Sequence, residues 1–140
     1  MSSKAVQDKF NAYMLANWVD TDIYDVNNTI DAPPRDDLSD WIAIQYPGAG
    51  EEQIAMGDPG NNVWREEGVI VIHIQTASGI GNQEFLTIGE KLSNLLRAAV
   101  IDGIHIRSVS PPNFREDVKA FQGNWYSMTT ALDYYHDIHA

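Results

Sequence analysis

Residues Val63 to Leu96 read VWREEGVIVIHIQTASGIGNQEFLTIGEKLSNLL, a long alternating strand that passes through a glycine-marked turn into one amphipathic helix. In the strand, Ile70, Ile72 and Ile74 fall on one face and Val69, Val71, His73 and Gln75 on the other, because successive side chains point to opposite sides. With both faces at least partly apolar, the strand belongs at the centre of a sheet. Gly68 inside it predicts a bulge or a close backbone approach. The turn Ser78-Gly79-Ile80-Gly81-Asn82 opens the helix with Asn82 as its cap, and Phe85, Ile88, Leu92, Leu95 and Ala99 follow at helical spacing, with Leu96 widening the stripe.

Upstream, Val6, Phe10, Met14 and Trp18 recur every four residues with Tyr13 beside them, which predicts a first helix of about fifteen residues lying on the sheet. From Asp20 to Asp40 the periodicity dissolves among seven aspartates, Asn27-Asn28 and Pro33-Pro34, so this stretch is expected to be an exposed, flexible acidic loop that orders on a partner. Its aspartates lack the spacing of a calcium loop. WIAIQYP at 41–47 and EEQIAMG at 51–57 read as two short strands of a hairpin turned at Pro47 to Gly50. A second turn, GDPGNN at 57–62, leads into the central strand. Beyond the second helix, Asp102-Gly103 turns the chain into a strand at 104–110 that Pro111-Pro112 ends, and a last long strand runs from Gln122. This order predicts one α+β domain over residues 1–140, a mostly antiparallel sheet with two helices packed on one face. The other face, carrying Trp, Tyr and Val side chains, calls for a neighbouring subunit to cover it.

The chain carries 20 acidic and 9 basic residues, a net charge of −11, with no basic stripe to neutralise phosphates; tight nucleic-acid binding is therefore excluded. No apolar stretch approaches the roughly 20 residues needed to cross a bilayer, and the first ten residues form no signal core. Without cysteine there is no disulfide framework or thiolate chemistry, which suits a reducing cytoplasm. Glu51-Glu52, Glu66-Glu67 and Glu116-Asp117 are sequence neighbours whose side chains diverge on a strand, so none forms a catalytic pair. The serines lack a nucleophile-elbow setting, and Gly79-Ile80-Gly81 lacks the third glycine of a dinucleotide fingerprint. His73 and His105 sit in apolar strands as core or interface histidines, while His136 and His139 belong to an acidic tail read as frayed. No catalytic, cofactor-binding or metal-ligating residues emerge, and the chain is not read as an enzyme.

Several stretches together resemble the tail terminator, or tail-completion, proteins of long-tailed bacteriophages and phage-derived gene-transfer particles. They are the N-terminal amphipathic helix, the variable loop, the turn GDPGNN and Trp64-Arg65-Glu66-Glu67-Gly68 opening a β-branched strand. Gly79-Ile80-Gly81 before the second helix and Gly123-Asn124-Trp125-Tyr126 opening the last strand complete the pattern. The resemblance implies a structural virion protein without cofactor, a ring, usually a hexamer, that ends tail-tube polymerisation and joins the tail to the head connector. It implies self, the tail tube protein and the head-tail connector protein as partners, with DNA passing through the lumen without specific binding, and no membrane. It implies assembly in the host bacterial cytoplasm and a place at the tail end of the virion. The alternatives are a small-molecule binding α+β module, or another neck or minor tail protein. Trp64, Arg65, Glu67, Trp125, Tyr126 and Tyr134 are the candidate interface residues, Arg65 foremost, since an intersubunit or interstrand ion pair would explain a lone cation beside two glutamates. The loop at 20–40 and the tip at Pro47 to Gly50 are the expected docking elements.

Overall fold

The computed structural model describes residues 3–19, 22–25, 41–57, 59–77, 83–97, 99–111, 113–114 and 125–139. Helix α1 (Lys4–Asn17) begins at Ser3, whose Oγ accepts from the Val6 amide at 3.4 Å, and it buries Val6, Phe10 and Met14 completely, as the four-residue spacing predicts. Trp18 follows as the C-cap and is also buried. Strand β1 (Asp22–Asp25) lies within the acidic stretch read as a loop, pairing parallel with the start of β2 (Trp41–Gln53). The expected loop thus contains a short strand, and residues 26–40 lie outside the described part.

The expected hairpin at Pro47 to Gly50 is not formed. Strand β2 runs straight through it and pairs antiparallel with β3 (Val63–Ala77) along its whole length, from Trp41 opposite Gln75 to Gln53 opposite Trp64. A one-residue bulge between Gln45 and Gly48 takes up the proline, which has no N–H to give to a ladder. The real turn is the later one: Gly57 and Gly60 adopt φ of +103° and +89°, values open to glycine.

Strand β3 is central, as its two apolar faces require, with β2 on one side and β7 (Trp125–His139) on the other. Helix α2 (Gln83–Leu96) buries Ile88, Leu92 and Leu96; the expected cap Asn82, the Gly79–Gly81 pair and the Phe85 side chain lie outside the described residues. Asp102 and Gly103, both at positive φ, make the tight turn joining β4 (Val100–Ile101) to β5 (Ile104–Val109). A two-residue strand β6 (Asn113–Phe114) pairs with β7 beyond the end of β5. Among the described residues the sheet runs β1-β2-β3-β7-β5-β4, antiparallel except for β1 and β2.

The architecture is α+β, a mostly antiparallel sheet with both helices on one face. The core joins Phe10, Met14, Ile88 and Leu92 of the helices to Ile42, Ile70, Ile72, Ile74, Leu132 and Ile106 of the sheet. Burying each such side chain contributes about 1.5–3 kcal/mol. Tyr46 stacks edge-on against Phe10 and donates to Asn11 Oδ1 at 2.7 Å, tying α1 to β2. Tyr13 donates to the Leu95 carbonyl at 3.3 Å, tying the two helices together. No described helix is long and apolar enough to cross a membrane.

The opposite face divides in two. Toward one end Trp41, Ala43, Val71, His73, Gln75 and Thr129 are buried. Toward the other end the face is open, and there the functional candidates lie.

Candidate functional site

The open half of the outer face is built by strand parity. Arg65 and Glu67 on β3, Asp133, Tyr135 and Asp137 on β7 and His105 on β5 all point away from the helices. Arg65 stands opposite Asp137 and grips it in a two-pronged ion pair, Nε to Oδ1 at 2.7 Å and Nη2 to Oδ2 at 3.0 Å. That hydrogen bond is the main cause holding the Asp137 carboxyl below the usual aspartate range, and it raises Arg65 in turn. The Arg65 guanidinium also lies 4.3 Å from the centre of the Tyr135 ring. His105, directly opposite Tyr135, stacks on it with ring centres 4.5 Å apart and planes within 4°.

Arg107 joins this group because β5 slips by one residue between Ile106 and Ser108. From the bulge its guanidinium reaches over Tyr135, 4.6 Å from the ring centre, to bond Glu67 at 3.2 Å. Ser108 donates to Asp133 at 3.0 Å. Exposed ion pairs of this kind add little to stability. Their effect is to hold arginine, tyrosine and histidine side chains together as a platform across β3, β7 and β5.

A second polar group lies on the helix side. Glu66, 1% exposed, accepts from Tyr134 Oη at 2.6 Å and from the Ser3 backbone amide at 3.2 Å, so the start of α1 is anchored to β3. His136 stands opposite Glu66 on β7 and is 7% exposed; Lys9 Nζ approaches its Nε2 at 3.3 Å and donates to the Asp102 carbonyl at 3.1 Å. Burial works to raise the Glu66 carboxyl, but the bonds from Tyr134 and Ser3 outweigh it and hold it low. Burial, and then the Lys9 charge, push the His136 imidazole down. These groups are able to exchange protons, yet they are sealed from solvent and out of reach of a substrate.

Both shifts make the fold sensitive to acid. Below the ordinary histidine value of 6.5 the unfolded chain takes up a proton that folded His136 resists, and below 4.5 the same holds for Glu66. Unfolding free energy should therefore be level above pH 6.5 and fall in two arms as pH drops. Chemical denaturation across pH should give this profile for the wild type and lose its upper arm in His136→Gln; an unchanged upper arm in that variant would assign it elsewhere.

Two concave regions flank the platform and the core. A cleft of about 300 Å³ beside the platform is lined by Gly50, Glu51, Glu52, Ile54, Arg65 and Glu67. An open groove of about 520 Å³ runs between α1 and β4, with Ala12, Tyr13, Ala16, Val100 and Ile101 on its walls and Asp8, Lys9 and Asp102 at its rim. Among the described residues no three histidine or acidic side chains are arranged to hold a metal ion.

Of the six interface candidates, Arg65 and Glu67 come together on the platform. Trp64 is half-buried and shares the parity of Glu66, placing it on the helix-side face of β3. Tyr134 is 1% exposed and bonded to Glu66 in the core, away from the platform. Trp125 and Tyr126 begin β7 opposite Ala77 and Thr76, and their side chains lie outside the described residues. The tail at 136–139 is no frayed end but the continuation of β7 against Val63 to Glu66. His105 was read as a core or interface histidine, whereas Arg107, Tyr135 and Asp137 were not among the interface candidates, although the odd-number parity of β7 was visible and pointed to the last two. No protein-family model matches the sequence, and no curated protein matches it either.

Proposed function

We propose that this chain is a structural virion protein of the tail-terminator kind, a ring that ends tail-tube polymerisation and joins the tail to the head connector. The carrying observation is the platform around Tyr135. Arginine and tyrosine are prominent in the binding energy of protein interfaces, and here two arginines, a tyrosine and a histidine are held against one another on one sheet face. The sealed position of Glu66 and His136 also fits a structural role better than a catalytic one. On this reading the partners are other copies of the chain, the tail tube protein and the connector, the chain assembles in the bacterial cytoplasm, and the acidic surplus lets DNA pass the lumen without sticking.

The test is the mass of the purified protein by light scattering over a wide concentration range, followed by negative-stain imaging and by addition to polymerising tail tube protein. A closed ring of about six subunits that shortens the tubes is the expected result. A protein that leaves tube length unchanged would remove the terminator assignment. The groove between α1 and β4 favours one other reading, a small-molecule binding module; it would give a single chain whose melting temperature rises with an apolar ligand.

A further inference from the structure

The groove between α1 and β4 has a bridge across it. Lys9, on α1, donates to the Asp102 carbonyl at 3.1 Å, on the turn from β4 to β5, and stands 3.9 Å from the Asp102 carboxylate. Its ammonium also lies 3.3 Å from Nε2 of His136, and an ammonium has only hydrogens to give. Nε2 is therefore the acceptor, which puts the single ring hydrogen of the neutral imidazole on Nδ1. The arrangement holds only while His136 is uncharged.

The imidazole itself is closely held. It is 7% exposed, and the turn lies over it, since a methyl group built on Gly103 would stand 3.6 Å from His136 Cδ2. Lys9 faces it from α1, Glu66 from β3 and Asp102 from the turn; β5 sets the apolar Ile104 opposite it, and Asp137, next along β7, points to the other face. Two buried atoms here, Nδ1 of His136 and Oε1 of Glu66, have no hydrogen-bond partner among the described residues. A charged imidazole would thus have an opposing carboxylate on the neighbouring strand.

Lys9 is what a charged imidazole does not tolerate. A hydrogen on Nε2 would point at the ammonium, donor against donor and charge against like charge. Of the two groups Lys9 has the way out, because its side chain is already 32% exposed. Once it turns to solvent, its bond to the Asp102 carbonyl is gone, and the groove wall at Ile101, now 4% exposed, loses its cover. The opening is local: Glu66 still holds the Ser3 amide and Tyr13 still holds the Leu95 carbonyl, so α1 stays on the sheet.

We propose that His136 is an acid-operated latch on the groove between α1 and β4: proton uptake by its imidazole expels Lys9, breaks the bridge to Asp102 and opens the groove.

The chain has no cysteine, so one introduced thiol is a unique probe. Ile101→Cys, made in the whole chain, reports the groove wall through its rate of reaction with a disulfide reagent. Dividing by the rate of the same chain unfolded in urea at the same pH removes the thiol's own titration. This ratio should be flat above pH 6.5 and rise below it, by up to about tenfold per pH unit. Thr130→Cys, at a position 0% exposed and not on the groove, should stay protected over the same range. Adding His136→Gln to the groove probe keeps an acceptor for Lys9 that does not titrate, and adding Lys9→Met removes the charge the ring would meet. In both, labelling at residue 101 should lose its pH dependence, and circular dichroism at neutral pH checks each fold. A flat ratio without these changes, a rise that survives in either of them, or equal rises at positions 101 and 130 would overturn the latch.

Discussion

Replacing Tyr134 with alanine should lower the free energy of unfolding by about 5 kcal/mol, a large share of the 5–15 kcal/mol that holds a domain of this size together. The ring is 1% exposed at the meeting of β3, β7 and β5, so its removal leaves a cavity that the close-packed core closes only in part. It also strips Glu66 of a 2.6 Å hydrogen bond in a place where water does not reach. Tyr134→Phe separates the two effects. It keeps the packing and removes only the hydroxyl, which should cost about 2 kcal/mol, the usual range for a hydrogen bond to a charged group. With the largest of its downward influences gone, the Glu66 carboxyl should rise, and the lower arm of the acid profile should shrink. Denaturant melts of both variants at neutral and acid pH decide the matter. A phenylalanine variant as stable as the wild type would mean that Glu66 finds equal support elsewhere.

Gly68→Ala should cost about 3 kcal/mol, the upper part of the range for an overpacked core. A methyl group built on Gly68 would stand 2.7 Å from the Gly48 carbonyl oxygen and 2.8 Å from both Ala49 Cβ and Tyr134 Oη. The first two belong to the facing strand, so relief requires β2 to draw away from β3 near the bulge; the third requires Tyr134 to leave Glu66. Ala49→Gly, made in the same chain, removes one of the three obstacles and should restore part of the loss. A double-mutant cycle reads this directly, and additive losses in the two variants would place the strain elsewhere.

What was legible in the sequence was what repeats. Val6, Phe10 and Met14 announced α1 through their spacing, and Ile70, Ile72 and Ile74 announced a central strand through their parity, because burial of a stripe or a face is what both patterns encode. Gly68 was marked as a bulge or a close backbone approach; it is the close approach, and the bulge lies on β2 between Gln45 and Gly48. Strand β2 was broken in two on paper because Pro47 and Gly48 are turn residues by local preference. The bulge and an uncovered edge let the sheet keep them, a tertiary override that no local pattern carries. Strand β1 was hidden among aspartates, since its pairing with β2 depends on a partner some nineteen positions away.

The candidate site was half readable. Arg65 drew notice as a lone cation beside two glutamates, and an interstrand pair with Asp137 accounts for it, but the partner sits 72 residues on. Glu66 was read only as a neighbour of Glu67 whose side chain diverges from it on a strand. Its parity with Ile70 in fact put it inside, a signal present in the sequence and not followed. Tyr134 and Tyr135 are adjacent and go to opposite faces; only the register with β3 decides which of them meets the core.

The pairing of β3 with β7 joins residues 63–77 to residues 125–139. A ribosome makes these two segments seconds apart. During that interval the isoleucine face of β3 has its eventual neighbour on one side only, and α1 has no Tyr134 or His136 to complete the ground beneath its first turn. The first half of the chain can therefore collapse but cannot close its sheet, and the slow step is the arrival of the last strand across a long gap. The fold becomes possible only once residues 125–139 have been made, and any copy cut short before residue 125 would lose the middle of its sheet, while its outer strands stayed intact in sequence.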